Sequence, residues 1–145
     1  MKRTFFTSII VLVCIAVFLS ARGFAQNSKT TLPRQTVAKL TLEQAAMCEE
    51  IKEYTPYNSA VVFSIKIGKV SCFTAFDPVP EKTFIYHNWY HRDKPSTKKK
   101  LTLNSPRWST YSSILLRETD KGPWRVEISD QKGNLFRILR FSITD

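Results

Sequence analysis

The sequence predicts an all-β fold, a small immunoglobulin-like β-sandwich of about seven antiparallel strands. From residue 60 to the C-terminus, apolar and β-branched residues alternate with polar ones, which is the period of a half-buried strand. Segments rich in Gly, Pro, Asp and Asn interrupt these runs at the short intervals typical of a sandwich. About 120 residues follow position 25, enough for one domain with a hydrophobic core.

The strands can be placed in order along the chain. The first clear run alternates from Val61 to Ile67 and ends at Gly68. Two prolines exclude a central strand from residues 77–81, because proline cannot donate a ladder hydrogen bond. Further strands are predicted at residues 70–76, 83–92, 98–103, 108–117, 124–129 and 135–143, with turns at 93–96, 104–106, 120–123 and 130–134.

Residues 41–53 fit two structures. Thr41–Gln44 resembles a helix capping box, and the Ala-Ala-Met segment that follows favours a helix. Met47, Glu49 and Ile51 also alternate as a strand would. Pro56 is expected to end whichever element forms.

The first 25 residues are predicted to be a signal peptide. Lys2 and Arg3 precede an apolar run over residues 5–19, and Gly23 and Ala25 suit the positions before a cleavage site. The run is shorter than the roughly 20 residues that span a membrane, so we expect export without stable membrane insertion; an uncleaved anchor is the alternative. The protein is then periplasmic or extracellular, with a flexible leader at residues 26–44 and the domain at 45–145.

The charge of the chain suggests an anionic partner. Three cations leave with the signal peptide, so 19 of the 22 Lys and Arg residues remain against 12 Asp and Glu, and the excess lies in residues 60–145. An exported protein meets anionic lipid, polysaccharide or wall polymer instead of nucleic acid. We favour the simpler interpretation, a basic surface that keeps the protein soluble. Residues 98–100, three lysines, are either a polyanion contact or, as we favour, protection of a strand edge.

Cys48 and Cys72 remain after cleavage and predict a disulfide, because an oxidising compartment does not keep thiols reduced. Such a bridge would close a loop of about 25 residues and contribute about 3 kcal/mol. The alternative is two buried thiols that pack as small apolar groups. No cysteine spacing typical of zinc occurs, and neither a metal nor a cofactor is predicted.

His87 and His91 are four residues apart, which on a strand is roughly 13 Å, too far to share one metal ion. The strand directs His87 and Trp89 to one face and Asn88 and Tyr90 to the other. We favour a hydrogen-bonded structural role for a histidine in this position over a catalytic one.

The tryptophans and their neighbours have two interpretations. At least two of Trp89, Trp108 and Trp124 are expected in the core. The functional alternative is an aromatic platform for sugar rings, with tyrosines contributing (Tyr86, Tyr90 or Tyr111). Arg107 and Arg125 flank two of the tryptophans and could bind carboxylate or phosphate in bidentate fashion.

Catalytic motifs are sparse. The serines at 109, 112 and 113 lie on a predicted strand without a nucleophile elbow, and the three glycines after position 25 form no phosphate-binding loop. The sequence therefore favours a protein that is not an enzyme and predicts no catalytic residue.

Several short motifs occur in an order that resembles a known family. They are Val70–Thr74, Ile85–Tyr90, Arg107–Ser109 with Ser112–Ser113, Gly122–Glu127 and Leu139–Ile143. Together they are similar to an uncharacterised bacterial domain-of-unknown-function family, designated two-nine-one-four, over roughly residues 45–145. The resemblance implies a small all-β domain, often in envelope-linked architectures, with a first strand at residues 46–52 ending before Pro56. It also implies that Cys48 and Cys72 lie on successive strands and could pair. No activity is established for the family, so no catalytic residue carries over.

The sequence thus favours an exported, non-catalytic module that binds an envelope component, an anionic polymer or glycan, or a protein partner. The predicted binding residues are His87, Tyr90, Arg107, Ser112 and Arg125. The alternatives are a small hydrolase or lyase using His87 with a nearby serine or carboxylate, and a purely structural accessory domain.

Overall fold

The computed structural model describes residues 38–145, and this part of the chain is built of strands. The nine strands are β1 (Leu42–Lys52), β2 (Thr55–Ser59), β3 (Val62–Ser64), β4 (Lys69–Phe76), β5 (Thr83–His91), β6 (Lys94–Leu103), β7 (Trp108–Leu115), β8 (Gly122–Asp130) and β9 (Leu135–Thr144). Two 3-10 turns, Ile65–Ile67 and Glu118–Asp120, accompany them. Among these residues no helix has the length and hydropathy that a membrane span requires. The predicted signal peptide and residues 26–37 of the leader lie outside the described residues, and β1 begins three residues before the boundary set at position 45.

The strands form two sheets, one in the order β2-β1-β4-β7 and the other in the order β3-β9-β8-β5-β6. In the immunoglobulin fold, strands A, B and E share one sheet and strands C, F and G the other. Here β1, β4 and β7 correspond to strands A, B and E, and β5, β8 and β9 correspond to strands C, F and G. Strand β6 extends the second sheet beside β5. The predicted all-β, immunoglobulin-like sandwich is confirmed, with nine strands instead of about seven. One pairing, β3 with β9, is parallel where antiparallel strands were expected.

The segment at residues 61–67 differs from the single strand that its alternation predicts. Only Val62–Ser64 pairs, and the chain then enters the 3-10 turn, where the Ser64 hydroxyl accepts a hydrogen bond from the Lys66 backbone N–H at 3.2 Å. Gly68 ends the turn at a positive φ of 72°, which suits a residue without a Cβ. The alternating apolar residues of this segment thus form a short edge strand followed by a tight turn.

Residues 41–53 form the strand and not the helix. Ala45 and Met47 pair with Thr74 and Cys72 of β4, and these pairings outweigh the local helix propensity of a short segment. Pro56 does not end β1, because the chain already turns at Glu53 and Tyr54, both with positive φ.

Prolines lie inside three strands where turns or strand ends were predicted; one of them, Pro123, is the second residue of β8. Pro56 lies in β2 and Pro95 in β6, and both strands are at the edges of their sheets, where the missing N–H costs little. The turn before β6 is correspondingly made at Arg92 and Asp93, and not at residues 93–96.

The core lies between the sheets and is centred on aromatic residues. Trp89 and Trp124 are buried and both contact Phe141, each with ring centroids 6.1 Å apart. Trp108 is 39% exposed. Two of the three tryptophans are therefore core residues, as the sequence predicts.

Cys48 and Cys72 are free thiols, so the predicted disulfide is wrong. In the pairing of β1 with β4, Cys48 lies opposite Ser71 and Met47 lies opposite Cys72. The two cysteines are therefore one position out of register and point to opposite faces of the sheet. Both are buried, and burial raises the pKa of Cys48 to about 11 and that of Cys72 above its usual range. The structure therefore agrees with the alternative prediction, in which the two cysteines are buried thiols that pack as small apolar groups.

Candidate functional site

His87 and Ser112, two of the predicted binding residues, lie in the interior of the sandwich and hydrogen-bond to each other. His87 is 0% exposed and Ser112 is 6% exposed. His87 Nδ1 lies 2.9 Å from Ser112 Oγ, and its Nε2 lies 3.3 Å from Thr74 Oγ1. The alternation of β5 places His87 and Trp89 on the inner face, as predicted, where both meet the inner side of the four-stranded sheet.

The hydrogen bonds around His87 run in one direction. The Trp89 indole N–H donates to Ser112 Oγ at 3.0 Å, so the serine hydroxyl is left to donate to His87 Nδ1. The Thr74 hydroxyl donates to the Thr110 carbonyl at 3.4 Å and accepts from His87 Nε2–H. A neutral imidazole with its proton on Nε2 is the tautomer that gives every donor of this network an acceptor.

The chemistry open to this network is limited by its burial. Burial lowers the pKa of His87 to about 3, because the charged imidazolium would lose its hydration in the core. No surface ligand can contact His87 or Ser112, so these two residues are corrected from binding residues to structural ones. The hypothesis of a hydrolase or lyase using His87 loses the residue on which it rested.

Tyr90 and Arg125, two further predicted residues, meet on the outer face of the five-stranded sheet. The Arg125 guanidinium carbon lies 4.0 Å from the centroid of the Tyr90 ring. Two more cations cover aromatic rings beside them: Lys98 Nζ is 3.8 Å from the Tyr86 centroid, and Lys100 Nζ is 3.9 Å from the Phe84 centroid. We call this surface the aromatic–cation face; it comprises Phe84, Tyr86, Asn88, Tyr90, Lys98, Lys100, Arg125, Glu127 and Arg140.

The period of β5 explains this arrangement. Its odd-numbered residues pack inward, so its even-numbered residues, three aromatics and an asparagine, line the outside. The register with β6 sets Lys100 opposite Tyr86 and Lys98 opposite Asn88. Since β6 is an edge strand, its lysines lie where the sequence expected edge protection, and two of them also stack on aromatic rings.

The aromatic–cation face carries an excess of positive charge. Arg125 is paired with Glu127 at 2.9 Å and with Asp93, yet it lies directly opposite Arg140 across the β8–β9 pair. Like charges in that position repel each other. Within residues 38–145, no carboxylate lies within 4 Å of the charged groups of Arg140, Lys98 or Lys100. An anion bound here would therefore relieve repulsion.

A shallow groove of about 480 Å³ crosses this face toward the β8–β9 hairpin. Tyr86, Tyr90 and Lys98 line one part of it, and hairpin residues line the other. The Asn88 amide donates to Ser129 Oγ at 3.1 Å, which fixes the floor between β5 and β8. The groove is open to solvent.

Arg107 is separate from the other candidates. It precedes β7 in the four-stranded sheet and forms an exposed ion pair with Asp77, with 3.6 Å between Nε and Oδ2. The predicted set thus divides into an interior pair, a surface pair and Arg107. Phe84, Lys98, Lys100 and Arg140 were not among the predicted binding residues, although residues 98–100 were weighed as a polyanion contact. The alternation of aromatics at 84, 86 and 90 could have grouped Phe84 with Tyr90, since it places them on one face, whereas the positions of Lys98 and Lys100 depend on the register of β6.

Comparison with known proteins places part of the chain in a family. Residues 82–143 match the family described as "Protein of unknown function (DUF2914)". The predicted resemblance is confirmed over this range, which is shorter than the residues 45–145 that the motifs suggested. It contains β5 to β8 and nearly all of β9, and with them every residue of the aromatic–cation face. No curated protein matches the chain.

Proposed function

We propose that this chain, which belongs through residues 82–143 to the DUF2914 family, is an exported, non-catalytic module that binds an anionic polymer of the cell envelope. The aromatic–cation face is the proposed binding surface. The observation that carries the proposal is the set of three cations held over aromatic rings side by side on one open sheet face.

Each cation–aromatic contact restricts a long side chain before any ligand arrives. A flexible lysine normally loses conformational entropy when it binds an anion, and this loss weakens the complex. Lys98 and Lys100 already rest on Tyr86 and Phe84, so less of this cost remains to be paid on binding. The face is therefore suited to anions more than to neutral sugars, because the rings are covered by cations.

The spacing of the charges favours a polymer over a single ion. Alternate residues of one strand are about 7 Å apart, which is the expected distance between the Cα atoms of Lys98 and Lys100. Arg125 and Arg140 continue the positive surface across β8 and β9. An extended chain with repeated negative groups could contact several of these cations at once, and its total affinity would rise with each contact.

The test compares polygalacturonate, an anionic glycan, with dextran, a neutral one, by NMR titration of backbone amides. We expect polygalacturonate to shift amides of β5, β6 and β8, and dextran to shift none. The double variant Lys98→Gln/Lys100→Gln should weaken polygalacturonate binding by about tenfold, from roughly 0.7 kcal/mol for each lost lysine–anion contact at an exposed surface. The control Lys66→Gln/Lys69→Gln removes the same charge from exposed lysines elsewhere and should change binding by less than about twofold.

Equal weakening in both double variants would reduce the interaction to non-specific attraction by net charge and overturn the proposal. Binding of dextran as tight as that of polygalacturonate would refute the choice of an anionic ligand. Export is tested separately, by sequencing the N-terminus of the protein from cell fractions. We expect Gln26 as the first residue; protein that retains Met1 in the cytosol would contradict export.

A further inference from the structure

A second basic cleft lies at the end of the sandwich where β5 turns into β6. It has a volume of about 590 Å³, within the range of small-molecule sites. The β5–β6 turn and the start of β6 form one wall, and the segment that follows β7 forms the other. Its lining residues include His91, Arg92, Lys94, Arg117, Asp120 and Trp124, and none belongs to the aromatic–cation face.

Arg92 is held in this cleft by the backbone. Arg92 and Asp93 both have positive φ, which turns the chain sharply and places Arg92 beside the start of β8. The Arg92 guanidinium lies on Gly122, where a Cβ atom would come within 3.2 Å of Nε and 3.3 Å of Nη2. Its Nη2 also donates to the Lys121 carbonyl at 3.1 Å. The missing side chain of Gly122 thus leaves space for the Arg92 guanidinium, and the hydrogen bond to the Lys121 carbonyl orients it.

The opposite wall is ordered in the same way. The Asp120 carboxylate accepts a hydrogen bond from the Arg117 backbone N–H at 2.8 Å and lies 3.4 Å from Arg117 Nε. The Trp124 indole donates to the Asp120 carbonyl at 2.6 Å, and the His91 ring stacks on Trp124 with centroids 4.5 Å apart. The cleft is therefore lined by side chains with fixed positions.

The acidic residues at this end of the sandwich are paired with other groups. Asp93 pairs with Arg125, and Glu118 and Asp145 both pair with Lys121. In the described part of the chain, neither Arg92 nor Lys94 has a carboxylate within 4 Å of its charged group. Three cations thus line the cleft against one carboxylate, that of Asp120, which is buried and pairs with Arg117, so that Arg92 and Lys94 are the two cations without an acidic partner.

From this geometry we infer that the cleft binds the phosphoryl group of a small phosphorylated molecule. A phosphate dianion offers oxygens to two guanidinium groups and one ammonium group at the same time, whereas a carboxylate offers two oxygens in one plane. Arg92 and Arg117 line the cleft from opposite walls, each with guanidinium nitrogens beyond those bonded to the Lys121 carbonyl and to Asp120, and Lys94 adds a point charge. The inference does not depend on the proposed polymer-binding function, because the two surfaces share no residue.

The test is an NMR titration of the protein with inorganic phosphate, at an ionic strength held constant with sodium chloride. We expect shifts confined to amides of residues 91–96 and 117–124. Arg92→Gln should weaken phosphate binding about tenfold, since it removes one charged bidentate donor. Gly122→Ala should also weaken it without changing the charge, because the new methyl group crowds the Arg92 guanidinium and a residue with a Cβ strains the backbone at the Gly122 φ of 115°. The control Arg137→Gln removes an exposed arginine of β9 outside the cleft and should change binding by less than about twofold.

Equal effects of Arg92→Gln and Arg137→Gln, or shifts spread over the whole basic surface, would overturn the inference. Acetate that binds as tightly as phosphate at the same ionic strength would refute the phosphoryl class. If Gly122→Ala does not fold, Arg92→Gln and its control still decide the result.

Discussion

Acidification should destabilise this protein through His87. In the folded state the buried imidazole has a pKa of about 3, against an ordinary histidine pKa of 6.5. Between these two values the unfolded chain binds a proton that the folded protein does not. The contribution of His87 to stability is therefore complete above pH 6.5 and is lost progressively as the pH falls toward 3.

The size of the effect follows from the two pKa values. Each pH unit below 6.5 removes about 1.4 kcal/mol, so acidification from pH 7.5 to pH 5.0 should lower the free energy of unfolding by about 2 kcal/mol through this residue alone. That is a large part of the 5–15 kcal/mol that typically stabilises a domain.

The assay is urea unfolding of the protein and of His87→Gln at pH 7.5 and pH 5.0. Glutamine has an amide that can donate and accept hydrogen bonds but cannot titrate. The variant should therefore lose the His87 contribution to the pH dependence of the free energy of unfolding, even if the substitution lowers stability at pH 7.5. His91 and all carboxylates are present in both proteins and cancel in the comparison. The reasoning is refuted if both proteins lose the same free energy on acidification, or if NMR shows that the His87 ring protonates between pH 5 and pH 7.

Two further predictions concern the interior. Ser112→Ala should lower the free energy of unfolding by roughly 2–4 kcal/mol, measured in urea, because a buried indole N–H and an imidazole nitrogen both lose their partner; a loss below 0.5 kcal/mol would show that the network is not needed. Cys48 and Cys72 should resist alkylation in the folded protein and react only in denaturant, since both are buried and the pKa of Cys48 is raised to about 11. A melting temperature lowered by reductant would instead indicate a disulfide.

The fold was largely predictable because its signals are local. The alternation along β5 correctly places His87 inside and Tyr90 outside, since the side-chain period of a strand is fixed by backbone geometry. The Asp130–Asn134 turn was equally predictable from its residues, and the structure shows Asp130 accepting hydrogen bonds from the backbone N–H groups of Lys132 and Asn134. Alternation gave a wrong prediction for residues 61–67. Alternating apolar residues fit a single strand, but they also fit the short strand followed by a 3-10 turn that occurs there.

The candidate site was predictable only in part, because it depends on register between strands. Tyr90 and Arg125 were recognised as candidates individually, but their contact requires the pairing of β5 with β8. The error over Cys48 and Cys72 has the same origin: a shift of one position in the β1–β4 pair sends one thiol to each face of the sheet.

By itself, then, the amino-acid sequence determined the sandwich class, the inward and outward faces of its clear strands and the excess of positive charge, since these depend on composition and on the period of the backbone. Tertiary structure alone decided which cations stack on which rings, that His87 is sealed from solvent, and that Arg92 lies against Gly122. Those contacts join residues far apart in the chain, and their geometry is set by strand register and sheet packing, which no short pattern of residues encodes.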